Sequence, residues 1–255
     1  MTDSSFDILN ITIHAVQPND ILNIINEWTI EKESYKYIVS TNANNIINAV
    51  ENNKYSDVMR NAFLSLPDGV PFLWYGQKKG FNIPKRCGIQ EVMEILFESS
   101  NNGKNFKHYF YGNTQDVLGK MQDNLLEQYP NLNIIGSYSP PFRALTVEED
   151  KKVIEMINVA SPDFLWISLG CPKQEEWMFD HRKVLNPMIA GGAGAVFNFL
   201  AGETKRAPRW IQYSGFEWFY RFLLNPKKLA NRYLIKYPKF MYLFLKHEII
   251  GVNVK

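Results

Sequence analysis

Cysteine is scarce in this 255-residue chain, where Cys87 and Cys171 are the only two and form no CxxC pair. That argues against a disulfide framework or a thiolate metal knuckle and points to reduced thiols in a cytoplasmic protein. His14, His108, His181 and His247 lack metal-ligand spacing. The ten aspartates contain no Asp-x-Asp pair, which removes one common carboxylate cage for a nucleotide-bound divalent ion. No GxxxxGKS or GxxxxGKT loop occurs, so a P-loop NTPase is excluded. The start, MTDSSFDILNITIHAV, has neither the basic lead nor the apolar core of a signal peptide. The longest uncharged stretch, 184–202, is broken by glycines, a proline and two asparagines. It reads as buried strand and loop, and no transmembrane helix is expected.

What is present suits a large globular chain. With 45% hydrophobic and 21% charged residues, disorder and collagen-like repeats are excluded. The length fits one α/β domain, alone or with an appendage. The formal net charge of +2 hides an uneven split. Residues 204–255 hold eleven Lys/Arg against Glu217 and Glu248, so this tail carries +9 and residues 1–203 carry −7. Twelve of the 36 aromatic residues also lie in the tail. A cationic, aromatic segment favours anionic surfaces such as lipid headgroups, nucleic acid or pyrophosphate. An amphipathic helix pair with a solvated basic face is an equally good reading of charge alone.

The pattern along the chain alternates short apolar runs with helical stretches. Strands are expected at Phe6–Ile13, Tyr37–Ser40, His108–Tyr111 before Gly112, Leu132–Ile135 before Gly136, Phe164–Leu169 before Gly170 and Met188–Ala190 before Gly191. Helices are expected at Asn44–Asn53, Thr114–Tyr129, Thr146–Ala160 and Lys173–Val184, with Thr146 and Glu149 forming a capping box. This cadence implies an α/β fold with a parallel sheet covered on both faces. Ligands of such sheets sit beyond the carboxyl ends of the strands, where these glycines are expected. Composition shifts near Lys205–Trp210, which suggests a core of 1–203 and an appendage of 204–255.

Three motifs carry chemistry. Leu66-Pro67-Asp68-Gly69 is a turn sequence for local reasons, yet a carboxylate on a tight loop can act as a general base. Gly170-Cys-Pro-Lys-Gln-Glu-Glu-Trp177 reads as a strand end entering a helix with Pro172 at its first position. The amides there either hold a phosphate or ribose or are simply capped. Arg206-Ala-Pro-Arg209-Trp210 through Arg221 interleaves arginines with large aromatics, which suits phosphate contact beside an apolar surface. Gly192-Ala-Gly194-Ala-Val-Phe197 falls short of a dinucleotide fingerprint because phenylalanine occupies the third glycine position. A nicotinamide oxidoreductase or a nucleic-acid-binding module is therefore the alternative reading; NADH fluorescence and gel shift discriminate them.

Taken in order, Asp68-Gly69, Gly170-Cys-Pro-Lys-Gln-Glu175, Phe197-Asn-Phe-Leu-Ala-Gly202, Lys205-Arg-Ala-Pro208 and Gly215-Phe-Glu-Trp-Phe-Tyr-Arg221 resemble the WecG/TagA/CpsF family, glycosyltransferase family 26. The resemblance runs from about Phe6 to Phe240. It implies a Rossmann-like core with helices on both faces and a C-terminal basic, aromatic helical appendage that meets the membrane and completes the site. It further implies an inverting hexosyl transfer from a UDP-sugar to a polyprenyl-diphosphate-linked saccharide in bacterial cell-surface polysaccharide synthesis. The expected place is the inner face of the cell membrane, with no metal or other cofactor, no nucleic-acid partner, and an oligomer compatible with the family.

Carried over by position, Asp68 matches the catalytic base and Arg221 the appendage arginine that stabilises the departing diphosphate. Ser40 and Asn42 fall on a Thr-x-Asn pair, Arg86 on a basic position, and Gln174 and Glu175 on the Gln-Glu of the family motif. The donor is expected along Gly112, Gly136, Gly170 and Gly192, with Arg206, Arg209 and Arg232 near the diphosphate. Lys228 and Asn231 replace arginines common in the family, and Asn198 replaces an aspartate; Arg232 is expected to restore part of the lost charge. Trp218, Phe219, Phe222, Phe240 and Phe244 are expected to enter the membrane surface.

Overall fold

The computed structural model describes residues 4–31, 34–186, 188–204, 207–208, 211 and 217–250. Its centre is a six-stranded parallel sheet in the order β4-β3-β8-β7-β5-β6. The strands are β3 (Lys36–Thr41), β4 (Leu64–Pro67), β5 (His108–Gly112), β6 (Ile134–Tyr138), β7 (Phe164–Ser168) and β8 (Ile189–Gly192). In β5, β7 and β8 every residue is buried, which explains their unbroken apolar runs. Alternation then sorts the side chains. Leu165 and Ile167 of β7 enter one core, while Phe164 and Trp166 enter the other.

The first core lies under α2 (Ala43–Glu51), α3 (Asn53–Arg60), α4 (Val70–Lys78), α7 (Val147–Ala160) and α8 (Lys173–Asp180). The second lies under α1 (Ile21–Glu31), α5 (Ile89–Ser99), α6 (Gln115–Gln128) and α9 (Val196–Leu200). The Rossmann-like arrangement of helices on both faces is thus present. The helix starts follow local chemistry. Thr146 accepts from the Glu149 amide at 3.2 Å while the Glu149 carboxylate takes the Thr146 amide at 2.8 Å, closing the expected capping box.

Several boundaries differ from the sequence reading. The Phe6–Ile13 run is not one strand but a hairpin, β1 (Ser5–Ile8) and β2 (Ile11–His14), forming its own antiparallel pair. Leu9 and Asn10 both take positive φ, as a two-residue hairpin turn demands, and burial of Leu9 offsets the strain. Gly136 and Gly191 lie inside β6 and β8 rather than beyond them. Their role there is close packing. A Cβ at Gly136 would stand 2.5 Å from the Tyr109 ring, and one at Gly191 2.7 Å from Trp166. Helix α8 stops at Asp180, because His181 and Arg182 bond the Trp177 and Phe179 carbonyls. Pro172 is its N-cap, one position before the expected place.

The C-terminal segment forms α10 (Glu217–Leu224), α11 (Pro226–Ala230), a π-helical stretch Asn231–Lys236 and α12 (Tyr237–Ile250). Helix α12 crosses α2 and α4. Phe240 is buried with its ring 5.6 Å from that of Phe72, and Phe244 meets Tyr75 edge to face at 5.1 Å. Lys239 pairs with Glu51 at 2.6 Å, and Lys236 bonds Asn48. This corrects the assignment of Phe240 and Phe244 to a membrane surface. They pack into the first core because burial of a large side chain there is worth about 1.5–3 kcal/mol. The exposed apolar side chains among the described residues of this segment are Leu223, Leu224, Leu234, Ile235, Met241, Tyr242 and Leu245 together with the expected Trp218 and Phe219. No helix among the described residues is long and apolar enough to cross a membrane.

Candidate active site

The chain leaves β3 for α2 on one face and leaves β8 for α9 on the other. Diverging loops open a crevice at the carboxyl ends of adjacent strands, the position where open α/β sheets hold ligands. Asp68 stands at this edge, directly after β4, with its amide donating to the Thr41 carbonyl at 3.0 Å. Its Oδ1 is 3.7 Å from Arg86 Nη1, and about a quarter of each side chain remains exposed. Arg86 Nη2 holds Glu91 Oε1 at 3.0 Å, while Glu91 Oε2 accepts the Gly88 amide at 3.0 Å. The base candidate is therefore attached to the first turn of α5 through a braced guanidinium, and it stays accessible.

Ser40 and Asn42 lie beside it with part of their capacity already engaged. Ser40 Oγ accepts the Ile89 amide at 2.9 Å, and Asn42 Oδ1 caps α2 by accepting the amides of Asn44 and Asn45. What each can offer a ligand is a donor, the hydroxyl proton and the carboxamide N–H2.

The middle of the crevice is knitted from the ends of three strands. Gly112 has φ +109, and a Cβ there would lie 2.5 Å from the Ser168 carbonyl oxygen, so only glycine lets β5 and β7 meet. Asn113 next to it donates to Ser168 Oγ and Asn198 Oδ1, and Ser168 Oγ donates to the Gly194 carbonyl at 2.7 Å. Asn198 is thus an acceptor in this lacing. Gly170 and Gly192 flank Gln174, whose Oε1 accepts the Gly170 amide at 3.2 Å. Gly136 lies outside this group, in the edge strand.

The C-terminal segment enters from above. Arg232 projects from the π-helical stretch, within 5.5 Å of the Tyr233 ring and 6.0 Å of the Tyr237 ring. Burial works against its charge; Tyr237, Tyr233 and the Asp68 carboxylate work for it, and the balance holds it firmly protonated. Its Nε is buried without a hydrogen-bond partner among the described residues. Arg221 lies over α9, its guanidinium 5.5 Å from the Phe199 ring. Arg206 and Arg209 lie outside the described residues.

One cluster escaped the sequence reading. Although Cys171 is exposed as a residue, its thiol turns in among Asn44 Nδ2, Asn45 Nδ2, Asn48 Nδ2 and Tyr55 Oη, at 3.5–3.6 Å. Burial and the nearby Glu175 push this thiol up to about 12, against the pull of Tyr55, Arg232 and Lys236. The available signal was the asparagine run 42–48, whose helical spacing points several carboxamides one way. Among the described residues no group of three His, Cys, Asp or Glu could hold a metal ion.

Comparison with known proteins identifies the family of the chain. The family model described as Glycosyl transferase WecG/TagA/CpsF family matches residues 6–252. An N-acetylglucosaminyldiphosphoundecaprenol N-acetyl-beta-D-mannosaminyltransferase of Bacillus subtilis (strain 168) is 29% identical over 200 residues, 78% of this chain and 75% of that protein. Proteins of the same name from Bacillus spizizenii and Staphylococcus aureus (strain NCTC 8325) are each 27% identical. They cover 86% and 82% of this chain, and 82% and 80% of their own lengths. With the match spanning nearly the whole sequence, the chain belongs to the WecG/TagA/CpsF family of glycosyl transferases.

Proposed function

We propose that this glycosyltransferase moves an N-acetylhexosamine from a UDP-sugar to a polyprenyl-diphosphate-linked saccharide, with inversion at the anomeric carbon, in cell-envelope polysaccharide synthesis. The names of the relatives favour N-acetylmannosamine as the sugar moved and a lipid-linked N-acetylglucosamine as its acceptor. What carries the reading is that the Asp68 carboxylate of the core lies near enough to Arg232 of the C-terminal segment to favour its charge. Asp68 accepts the proton of an acceptor hydroxyl, which attacks the anomeric carbon from the face opposite the nucleotide. The departing diphosphate gains negative charge, and the arginines answer it: Arg232 near the base, with Arg221 beside α9. The donor follows the tips of β8, β7 and β5, along Gly192, Gly170 and Gly112.

An acceptor attached to lipid requires the enzyme at a membrane surface. The exposed series Leu234, Met241, Tyr242 and Leu245 on α12 and the turn before it, set among tail cations, supports peripheral attachment to anionic lipid on the cytoplasmic side. The test is UDP release and product formation with a panel of UDP-sugars, each with and without a lipid-linked N-acetylglucosamine diphosphate. Transfer from one donor that depends on the acceptor supports the reading; no turnover with any donor rejects it.

A further inference from the structure

Trp74 is 69% exposed, far more open than Trp218 of the C-terminal segment at 37%. A single exposed apolar side chain has no meaning by itself, but this one has neighbours. It lies on α4, whose Phe72, Leu73, Tyr75 and Gly76 are buried. The exposed residues of that helix are Pro71, Trp74, Gln77 and Lys78, an outward stripe at helical spacing. Between Asp68 and Glu91 the chain holds Lys78, Lys79, Lys85 and Arg86 and no acid, within a core that is acidic as a whole. The basic, aromatic character of the tail therefore recurs on a helix of the core.

Packing joins the two surfaces. On α12, Lys239 pairs with Glu51 of α2, while Phe240 faces Phe72 of α4. Successive residues of a helix are about 100° apart around its axis. Met241 therefore lies on the side of Phe240 away from α2, and Leu245 follows it one turn later; both are exposed. Phe244 meets Tyr75 edge to face at 5.1 Å, and Lys79 Nζ stands 5.0 Å from the centre of the same Tyr75 ring. The contact of Tyr75 with Phe244 is thus a seam. Met241 and Leu245 flank it on one side, and Pro71, Trp74 and Lys78 flank it on the other.

We propose that α4 of the core is a second membrane contact: Trp74 enters the headgroup layer of an anionic bilayer beside the face of α12, with Lys78 and Lys79 on lipid phosphates. Charge selects this occupant over a neutral apolar partner, because an acid-free basic segment suits a negative surface. An indole suits the boundary, its ring towards the acyl chains and its N–H in the hydrated layer. The consequence for catalysis rests on reading the acceptor as lipid-linked. Helix α4 starts at Val70 with Gly69 as its N-cap, directly after Asp68. Trp74 therefore stands about 6 Å along the axis from the helix start. A core anchored there keeps the base close to a sugar that only a diphosphate separates from lipid. The C-terminal segment then does not have to supply the whole attachment.

The test uses the full-length protein and vesicles of phosphatidylcholine with and without phosphatidylglycerol, one set carrying lipid brominated near the headgroup to quench tryptophan. The expected result is quenching of the wild type on anionic vesicles, part of which Trp74→Phe loses. Trp74→Ala weakens vesicle binding about tenfold, as loss of roughly half the burial of a large apolar side chain gives. Lys78→Gln weakens it about fivefold. Both positions are exposed, and circular dichroism checks that each variant folds. Equal quenching in wild type and Trp74→Phe, or vesicle affinity indifferent to Trp74→Ala, overturns the proposal. A dimer in the ultracentrifuge that depends on Trp74, with no effect on lipid binding, also overturns it and assigns the face to a second copy. Quenching that depends on Trp74 without transfer from any UDP-sugar keeps the contact and rejects the transfer reading. Transfer without such quenching does the reverse.

Discussion

Arg86 reaches two carboxylates at once: Nη1 stands 3.7 Å from Asp68 Oδ1, and Nη2 holds Glu91 at 3.0 Å. The guanidinium is anchored on α5 and presents its other edge to the residue after β4. Asp68 is consequently held in place by a partner that does not cover it. Asp68→Asn keeps the shape of the side chain and removes the proton acceptor. The expected outcome is a fall in kcat of about 10²–10⁴-fold with unchanged thermal unfolding. Near-wild-type turnover in a folded Asp68→Asn protein would remove Asp68 from the role of base.

Arg232 provides a second check, because a planar guanidinium and an ammonium differ in reach. It lies beside the Tyr233 and Tyr237 rings, 5.5 and 6.0 Å from their centroids, where a lysine ammonium has no planar face to lay on a ring and no fork to offer a diphosphate. Arg232→Lys is expected to lower kcat by about 10²-fold, the scale of losing one preorganised donor to developing charge. Steady-state transfer kinetics measure it; an effect confined to KM would show that Arg232 binds substrate without favouring the transition state.

Acid stability offers a test independent of activity. His108 is fully buried on β5, its Nδ1 accepting from Trp166 Nε1 at 3.1 Å and its Nε2 without a hydrogen-bond partner among the described residues. Burial lowers the ring to about 3. The unfolded chain then binds a proton near the ordinary histidine value that the folded chain refuses. Stability from this group is therefore complete above the unfolded value and declines as pH falls towards about 3, by roughly 1.4 kcal/mol per pH unit. Glu175, pushed up to about 7, acts in the opposite sense, since the folded chain holds its proton more tightly and loses that advantage as pH rises. Denaturant titrations of wild type and His108→Gln across this range isolate the histidine contribution as the difference in slope. Equal slopes would rule it out.

The exposed face of α12 and the preceding turn predicts how the protein meets lipid. Leu234→Glu or Tyr242→Glu should weaken sedimentation with anionic vesicles and leave the fold intact, because both side chains are exposed. Binding should also fall with salt, each basic residue near the surface contributing about 1 kcal/mol. Phe240→Leu, by contrast, should act on stability, since that ring lies in the core against Phe72. Vesicle binding indifferent to both substitutions and to salt would reject the membrane face.

Much of the parallel sheet was readable because its middle strands are buried on both sides and so appear as continuous apolar runs, as in Phe164–Ser168. Capping was readable too, since Thr146 and Glu149 satisfy each other three residues apart. The Phe6–Ile13 turn was hidden because Leu9 is neither glycine nor asparagine, and burial rather than turn propensity stabilises it. Gly136 was misplaced for a related reason: a glycine that admits a ring looks the same in sequence as one that ends a strand. The motif residues Asp68, Gln174 and Glu175 could be named from the family resemblance, but not the burial that separates their roles.

By itself the sequence determined the strands β3, β5, β6, β7 and β8, the helices α2, α6, α7 and α8, the two-signed charge split and the identity of the motif residues, because periodicity, capping and charge are local properties. Only the tertiary structure decided which aromatics of the basic tail face solvent and that Arg232 comes within the field of Asp68. It also decided that Cys171 gathers three asparagines from α2 and that Glu175 is buried on Gln174. Those relations join residues more than a hundred positions apart, or depend on which face of a helix is dehydrated. They arise when the two cores close and water is expelled, a global event that no local pattern encodes.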